Sequence, residues 1–408
     1  MENINKKVLL QINGFVNTGS TGRISEQIGM EAINSGWNSY IAFGRQANQS
    51  KSILVKISSK VDIIIHFILT RLFDYHGLAS TLATRKFINK INEIKPDIIH
   101  LHNIHGYYIN YKVLFRYLAI INKPVVWTLH DCWSFTGHCA YYSFVNCSKW
   151  QIQCRKCSIK SSYPKSVLFD RSEKNFENKK HVFNLPSKIC IIPVSNWLKN
   201  DVAKSFLKKY PQKVIHNGID LDVFFPSKGA TKERYNITGK FVILGIANIW
   251  DERKGLSDFI QLSQFLLEDE IIFLVGLSQK QISKLPYNII GIQRTESTST
   301  LAELYSSSNL FFNPTREDNY PTTNLEAIAC GTPVVTYKTG GSIESITKET
   351  GFIVEQGDLA EVRHIIDLVK EQGEEHYVDK CRNHAIANFD GSIMYKEYIS
   401  LYDSLLEE

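Results

Sequence analysis

The feature that most restricts this fold is a regular exchange, from residue 8 to residue 354, between short β-branched apolar runs and longer amphipathic segments. Parallel strands need a long crossover, usually a helix, so the alternation predicts an α/β chain of doubly wound parallel sheets. Strands are expected at 8–12, 40–43, 97–102, 125–130 and 189–194, then at 241–247, 271–275, 288–292, 310–313, 333–337 and 351–354. The 408 residues exceed one core, because single cores stop growing near roughly 250–300 residues. Two domains are expected, 1–220 and 221–385, followed by a helix over 386–408. The turn signal Asn217-Gly218-Ile219-Asp220 is a candidate hinge between them. Residues 131–186 form an insert rich in Cys, Tyr, Ser and Lys, and a loop of that length carries function or its own staple.

Lys and Arg number 47 against 41 Asp and Glu, a net charge of +6 spread along the chain. Without a dense basic block, a phosphate-bearing ligand or an anionic surface fits better than nucleic acid. The N-terminus runs directly into a strand pattern with no signal-peptide core, which predicts a cytoplasmic protein. The most apolar stretch, 61–73, is broken by Asp62, His66 and Arg71 and falls short of the ~20 residues that span a bilayer. It reads as a core or domain-surface helix, with peripheral contact to the inner face of the plasma membrane as the competing reading. Eight cysteines in a reducing compartment argue against a disulfide framework.

The most informative string is 313–335, NPTREDNYPTTNLEAIACGTPVV. A strand ends, an acidic loop follows, and a helix begins near Thr322. Backbone N–H groups of Thr322, Thr323, Asn324 and Leu325, with the helix dipole, suit a diphosphate. Carboxylates at Asp318 and Glu326 can each accept two hydrogen bonds from vicinal sugar hydroxyls. Cations at Arg253 and Lys254, in ANIWDERKGL, would offset phosphate charge. In the first half, NGFVNTGSTGRI places Gly19, Ser20, Thr21 and Gly22 after a strand and before a helix, where a ligand could approach the backbone. His130 and Asp131 stand at the end of the strand 125–130.

These strings resemble the GT4 family of retaining glycosyltransferases, and the likeness covers nearly the whole chain. Asp318 and Glu326 have the spacing of the family's Glu-x7-Glu signature, with Asp at the first acid and Glu317 immediately before it. Lys254-Gly255 fits the family's Lys-Gly pair, while Ile249 occupies its Arg position and Arg253 is the candidate substitute. The resemblance is closest to the branch associated with colanic-acid and capsular polysaccharide synthesis. It implies a GT-B fold of two Rossmann-like domains facing a central cleft. It also implies a nucleotide-sugar donor, a glycan or polyprenyl-linked acceptor, retention at the anomeric carbon and no obligatory divalent metal. Glu326 would then hold the nucleotide ribose, His130 and Asp318 the donor sugar, Lys254 the diphosphate, and the Gly19–Gly22 turn the acceptor side. Another GT-B enzyme, such as an epimerase or phosphorylase, and a non-catalytic sugar-nucleotide-binding subunit are the alternatives.

Cys139, Cys147, Cys154 and Cys157 cluster within the insert with one Cys-x2-Cys pair. The set fits a structural zinc site as well as it fits buried free thiols, and four thiolates would leave no open position for catalysis. His100, His102 and His105 lack a completing carboxylate or cysteine and read as buried or cleft-lining histidines.

Overall fold

A computed structural model describes residues 6–227, 229–373 and 375–407. The chain divides into two compact units, one running to His216 and taking back the chain from Met394, the other spanning Asn217–Ile393.

The first unit is a six-stranded, fully parallel sheet of order β3-β2-β1-β4-β5-β6. Its strands are β1 (Val8–Val16), β2 (Asn38–Ala47), β3 (Ile53–Lys56), β4 (Ile98–Leu101), β5 (Val125–Leu129) and β6 (Ile189–Pro193). Strand β1 outruns the expected 8–12 because pairing with β2 resumes after an irregularity between Asn13 and Phe15. Consequently Asn13, expected in the glycine turn, lies within the strand. The edge strand β3 was not expected: its four residues, ILVK, are mostly exposed and too short to show alternation.

The second unit repeats the plan, with order β12-β11-β10-β7-β8-β9. Its strands are β7 (Phe241–Ile246), β8 (Glu270–Val275), β9 (Ile289–Ile292), β10 (Leu310–Asn313), β11 (Val334–Tyr337) and β12 (Gly351–Val354). Each lies on an expected run. The central strands β10 and β11 are buried along their full length and β7 along all but its last residue, as a sheet covered on both faces requires.

Helix α1 (Gly19–Asn34) follows β1, and α2 (Lys60–Phe73) and α3 (Thr81–Ile94) precede β4. The stretch 61–73 is therefore a surface helix, and no helix among the described residues is long and apolar enough to cross a membrane. The C-terminal helix, Gly391–Glu407, belongs mainly to the first unit: Tyr395, Tyr398, Ile399 and Tyr402 share a core with Leu9, Ile28, Trp37 and Ile98. Polar contacts fix its register. Tyr402 OH lies 2.7 Å from His100 Nδ1, and Tyr398 OH lies 3.1 Å from Thr128 Oγ1.

Tyr402 is fully buried, so Tyr402→Ala is expected to cost about 3–5 kcal/mol, the range for removing a large core ring. Exposed Ser404→Ala should stay within about 0.5 kcal/mol. Urea unfolding of the two variants checks both values.

Candidate active site

Doubly wound sheets bind ligands outside the carboxyl ends of their strands, where the strand order reverses. In the second unit that point lies between β7 and β10, and the sequence candidates gather there. After β7 the chain reaches a short 3-10 turn, Glu252–Lys254, begun by Asp251, whose carboxylate accepts from Lys254 N–H at 3.0 Å. Gly255 follows in the left-handed region (φ 73°), and a Cβ there would lie 2.5 Å from the Pro314 carbonyl. Only glycine allows this approach of the two loops.

The approach joins cation to acid. Lys254 Nζ lies 2.6 Å from Asp318 Oδ2, and Arg253 Nη1 lies 4.0 Å from the same oxygen while donating to the Glu317 carbonyl at 2.7 Å. Burial depresses the Lys254 pKa, opposed by the Asp318 charge. For Asp318 burial acts upward, but Lys254 and Arg253 outweigh it and hold the carboxyl below its ordinary value. Asp318 is anchored in turn: Asn319 N–H donates to its Oδ1 at 2.9 Å, and Gly341 N–H donates to its carbonyl at 3.0 Å.

The helix Thr322–Ala329 begins behind proline, so the Pro321 side chain caps none of its amides. Thr322 and Thr323 are partly exposed at this end, Leu325 is buried, and Asn324 is committed to structure. Asn324 N–H donates to the Pro321 carbonyl at 3.1 Å, and its side-chain Oδ1 accepts from Asn313 Nδ2 at 2.8 Å. Glu317 is fully buried, and Glu326, 2% exposed, accepts from Tyr305 OH at 2.9 Å. Sequence reasoning missed Arg316 and the Thr339–Ser342 turn. Arg316 Nη2 bonds Asp258 Oδ1 at 2.9 Å and Nη1 reaches the Glu252 carbonyl at 3.0 Å, tying the two loops from outside. Gly340 carries a positive φ (50°) against the Asp318 carbonyl, a need that the Gly340-Gly341 pair after a strand could have signalled.

In the first unit, Gly19 opens α1 and Gly22 packs against β1, with Ser20 and Thr21 between them; Asn17 N–H donates to the Gly22 carbonyl at 2.9 Å. His130 follows directly on β5, one residue beyond the strand's end at Leu129, and joins a relay of neutral groups. Gln11 Nε2 donates to the Ser25 carbonyl at 2.8 Å, so its Oε1 accepts from His102 Nε2 at 2.9 Å. His102 Nδ1 then accepts from His130 Nε2 at 3.1 Å. This order places the His130 proton on Nε2 and makes Nδ1 an acceptor. Burial, partly offset by Asp131, pulls His130 down to about 4. His105 is engaged elsewhere, with Nε2 2.8 Å from Asp131 Oδ2 and Nδ1 3.0 Å from Tyr163 OH.

Cys139, Cys147, Cys154 and Cys157 line one cavity of about 20 Å³ together with His138, room for about one water. All are free thiols. A hydrogen bond with Cys139 draws Cys157 down to about 7 against the effect of burial, whereas burial pushes Cys154 up to about 12. Among the described residues no three His, Cys, Asp or Glu side chains stand in a metal-holding arrangement.

Two doubly wound parallel units, each with candidate binding residues beyond its strand ends, define a GT-B protein. Residues 40–223 match the model described as Glycosyltransferase Family 4, and residues 240–371 the model described as Glycosyl transferases group 1. The chain belongs to the family 4 glycosyltransferases. It is similar to WcaC of Escherichia coli (strain K12), named as a glycosyl transferase of colanic acid biosynthesis, with 24% identity over 97% of this chain and all of that one. Among solved structures it resembles sucrose-phosphate synthase of Thermosynechococcus elongatus (TM-score 0.73, 16% identity, 98% of this chain and 100% of that one). It also resembles Anabaena HepE in complex with UDP (TM-score 0.67, 15% identity, 98% and 100%).

The neutral histidines carry a pH dependence. An ordinary histidine takes a proton near 6.5, whereas folded His130 and His66 wait until about 4, burial being the largest cause for both. The unfolded chain therefore binds protons that the native chain refuses, so stability is complete above about 6.5 and falls as pH drops toward 4. Urea midpoints are expected to be lower at about pH 5 than at about pH 7.5.

Proposed function

We propose that this glycosyltransferase moves a sugar from a nucleoside-diphosphate sugar to a glycan or polyprenyl-linked acceptor during assembly of a bacterial surface polysaccharide. In this reading it works in the cytoplasm, retains configuration at the anomeric carbon and needs no divalent metal. The observation that carries the proposal is the fixed cation group at the switch point: Lys254 held by Asp318, with Arg253 beside it. Likeness to WcaC supports the polysaccharide, and likeness to HepE makes UDP the first nucleotide to test. The Asp318…Glu326 spacing supports retention.

Cleavage of the donor leaves charge on the departing diphosphate. Lys254, Arg253 and the amides of Thr322 and Thr323 would meet that charge without reorganising, and such preorganised donors dominate electrostatic catalysis. Asp318 keeps the Lys254 ammonium in place between turnovers. Glu326 would accept from the ribose hydroxyls, and His130 Nδ1 from a sugar hydroxyl. Exclusion of water from the bound donor would favour transfer over hydrolysis.

Lys254→Ala is expected to lower kcat by about 10²–10³, the range for losing one preorganised donor, and also to lower the unfolding midpoint, because the Asp318 carboxylate is left without its close partner. Assays with UDP-, GDP-, ADP- and CMP-sugars, and NMR of the product's anomeric proton, check donor, transfer and retention together. Undiminished turnover in Lys254→Ala removes the phosphate assignment. Nucleotide-sugar binding without transfer to any acceptor would instead indicate a non-catalytic subunit.

A further inference from the structure

The four cysteines of the insert stand in surroundings that suit thiolates better than thiols. A buried thiol is a weak donor and a weak acceptor, and asks little of its neighbours. Here the neighbours are amides and cations. Gly137 N–H donates to Cys154 Sγ at 3.2 Å, and a Cβ on Gly137 would lie 2.7 Å from Cys154 Cβ, so glycine is what admits that amide. Lys156 takes the left-handed conformation (φ 47°) in the turn between Cys154 and Cys157, and Ile159 N–H donates to Cys157 beyond it. Lys149 and Arg155 line the same cavity, and Lys179 acts electrostatically on Cys154 and Cys139. The nearby carboxylates are occupied. Asp170 accepts from Cys157 N–H at 2.6 Å and from Ser172 N–H at 2.8 Å, and Asp74 meets His138 Nδ1 at 2.7 Å.

His138 supplies an independent observation. Its side chain is fully buried and lines the cavity with the four cysteines, yet its Nε2 has no hydrogen-bond partner among the described residues. An orphaned ring nitrogen at a wall of sulfur costs free energy unless something in the cavity takes it up. An imidazole with a carboxylate behind one nitrogen and thiolates before the other is a common arrangement around a bound metal.

We propose that Cys139, Cys147, Cys154 and Cys157 hold one zinc ion as a tetrahedral tetrathiolate, with His138 donating from Nε2 to one of the bound sulfurs. As thiols, Cys139 and Cys157 are hydrogen-bonded to each other and Cys147 acts electrostatically on Cys154, so the four sulfurs surround the cavity without converging on one centre. Convergence asks for rotation of the thiols between staggered wells, because the backbone already brings all four to the cavity wall. Four soft sulfur ligands select zinc over magnesium and calcium, which take oxygen. Binding releases four thiol protons and leaves a doubly negative centre, which the surrounding amides, Lys149, Arg155, Lys179 and His138 offset. With no open coordination position the ion fastens the insert, and the transfer step itself stays metal-free. The inference is independent of donor, acceptor and turnover.

The test is mass-spectrometric metal analysis of the full chain purified without chelator, followed by exchange with cobalt(II). The wild type is expected to carry about one zinc per chain, and its cobalt form to show thiolate charge-transfer and tetrahedral d–d absorption. Cys154→Ser/Cys157→Ser and Cys147→Ser should each lose both signals, and stripping the zinc should lower the wild-type melting midpoint. Cys147 is only partly buried, so its variant should keep the wild-type circular dichroism, which separates lost ligation from lost folding. His138→Gln should keep the ion but bind it about 10–100-fold more weakly against a competing chelator. Cys190→Ser, in β6, should bind as the wild type does. Less than about a tenth of an equivalent of zinc in the wild type with no cobalt spectrum, or unchanged signals in both cysteine variants, overturns the proposal. A Cys139–Cys157 disulfide in the freshly purified chain, with no zinc bound before or after reduction, overturns it in favour of a redox pair.

Discussion

Parallel pairing of β7 with β10 is the constraint on which the second unit's site depends. Strands running the same way release their following loops at the same end of the sheet, and at a reversal of strand order no helix separates those loops. Arg253, Lys254 and Asp318 therefore meet although 64 residues separate Lys254 from Asp318. A cation this poorly solvated needs a fixed partner, and Asp318 supplies it while being held by Asn319 and Gly341. The result is positive charge that is rigid before any ligand arrives, the property a departing diphosphate requires.

The first unit solves a similar problem without charge. Its strand ends gather His100, His102 and His130, with the His100 and His102 rings 4.0 Å apart. Burial is the leading reason each stays neutral, and the neighbouring rings act in the same direction. A neutral stack conducts tautomeric information: the orientation of Gln11, fixed by Ser25, decides which nitrogen of His130 carries the proton. Hydroxyls of the C-terminal helix close the other end at His100, so the last turns of the chain help to define groups near the end of β5.

Much of this was legible in the sequence because parallel strands are short, apolar and separated by helical patterns, and because motif residues keep local spacing. The runs at 310–313 and 351–354 coincide with β10 and β12 residue for residue. What escaped was set by tertiary contact. Strand β3 exists because β2 offers it a pairing edge, not because ILVK alternates. Asn324 looked like a first-turn donor, yet its bonds run to Pro321, Asn313 and Ser342, partners assembled only by the fold. The apolar run at 61–73 gave the helix but not its orientation, which follows from where His66 and Thr70 find partners. The cysteine spacing placed four thiols around one cavity without disclosing how they converge.

The insert illustrates how a segment without periodicity can still be rigid. Asp74, the left-handed C-cap of α2 (φ 54°), is fully buried, and its carboxylate meets His138 Nδ1 at 2.7 Å and accepts from Arg171 N–H at 2.9 Å. Its carbonyl accepts from Asn175 Nδ2 at 2.9 Å. Lys179 completes the anchorage by donating to the Trp133 and Thr136 carbonyls at 2.6 and 3.0 Å, its ammonium 3.5 Å from the centre of the Trp133 indole, though burial brings it down to about 7. Trp133 stands three residues beyond His130, and its N–H is held by Asp131. The end of α2, the start of the insert and the strand end that carries His130 thus form one hydrogen-bonded body.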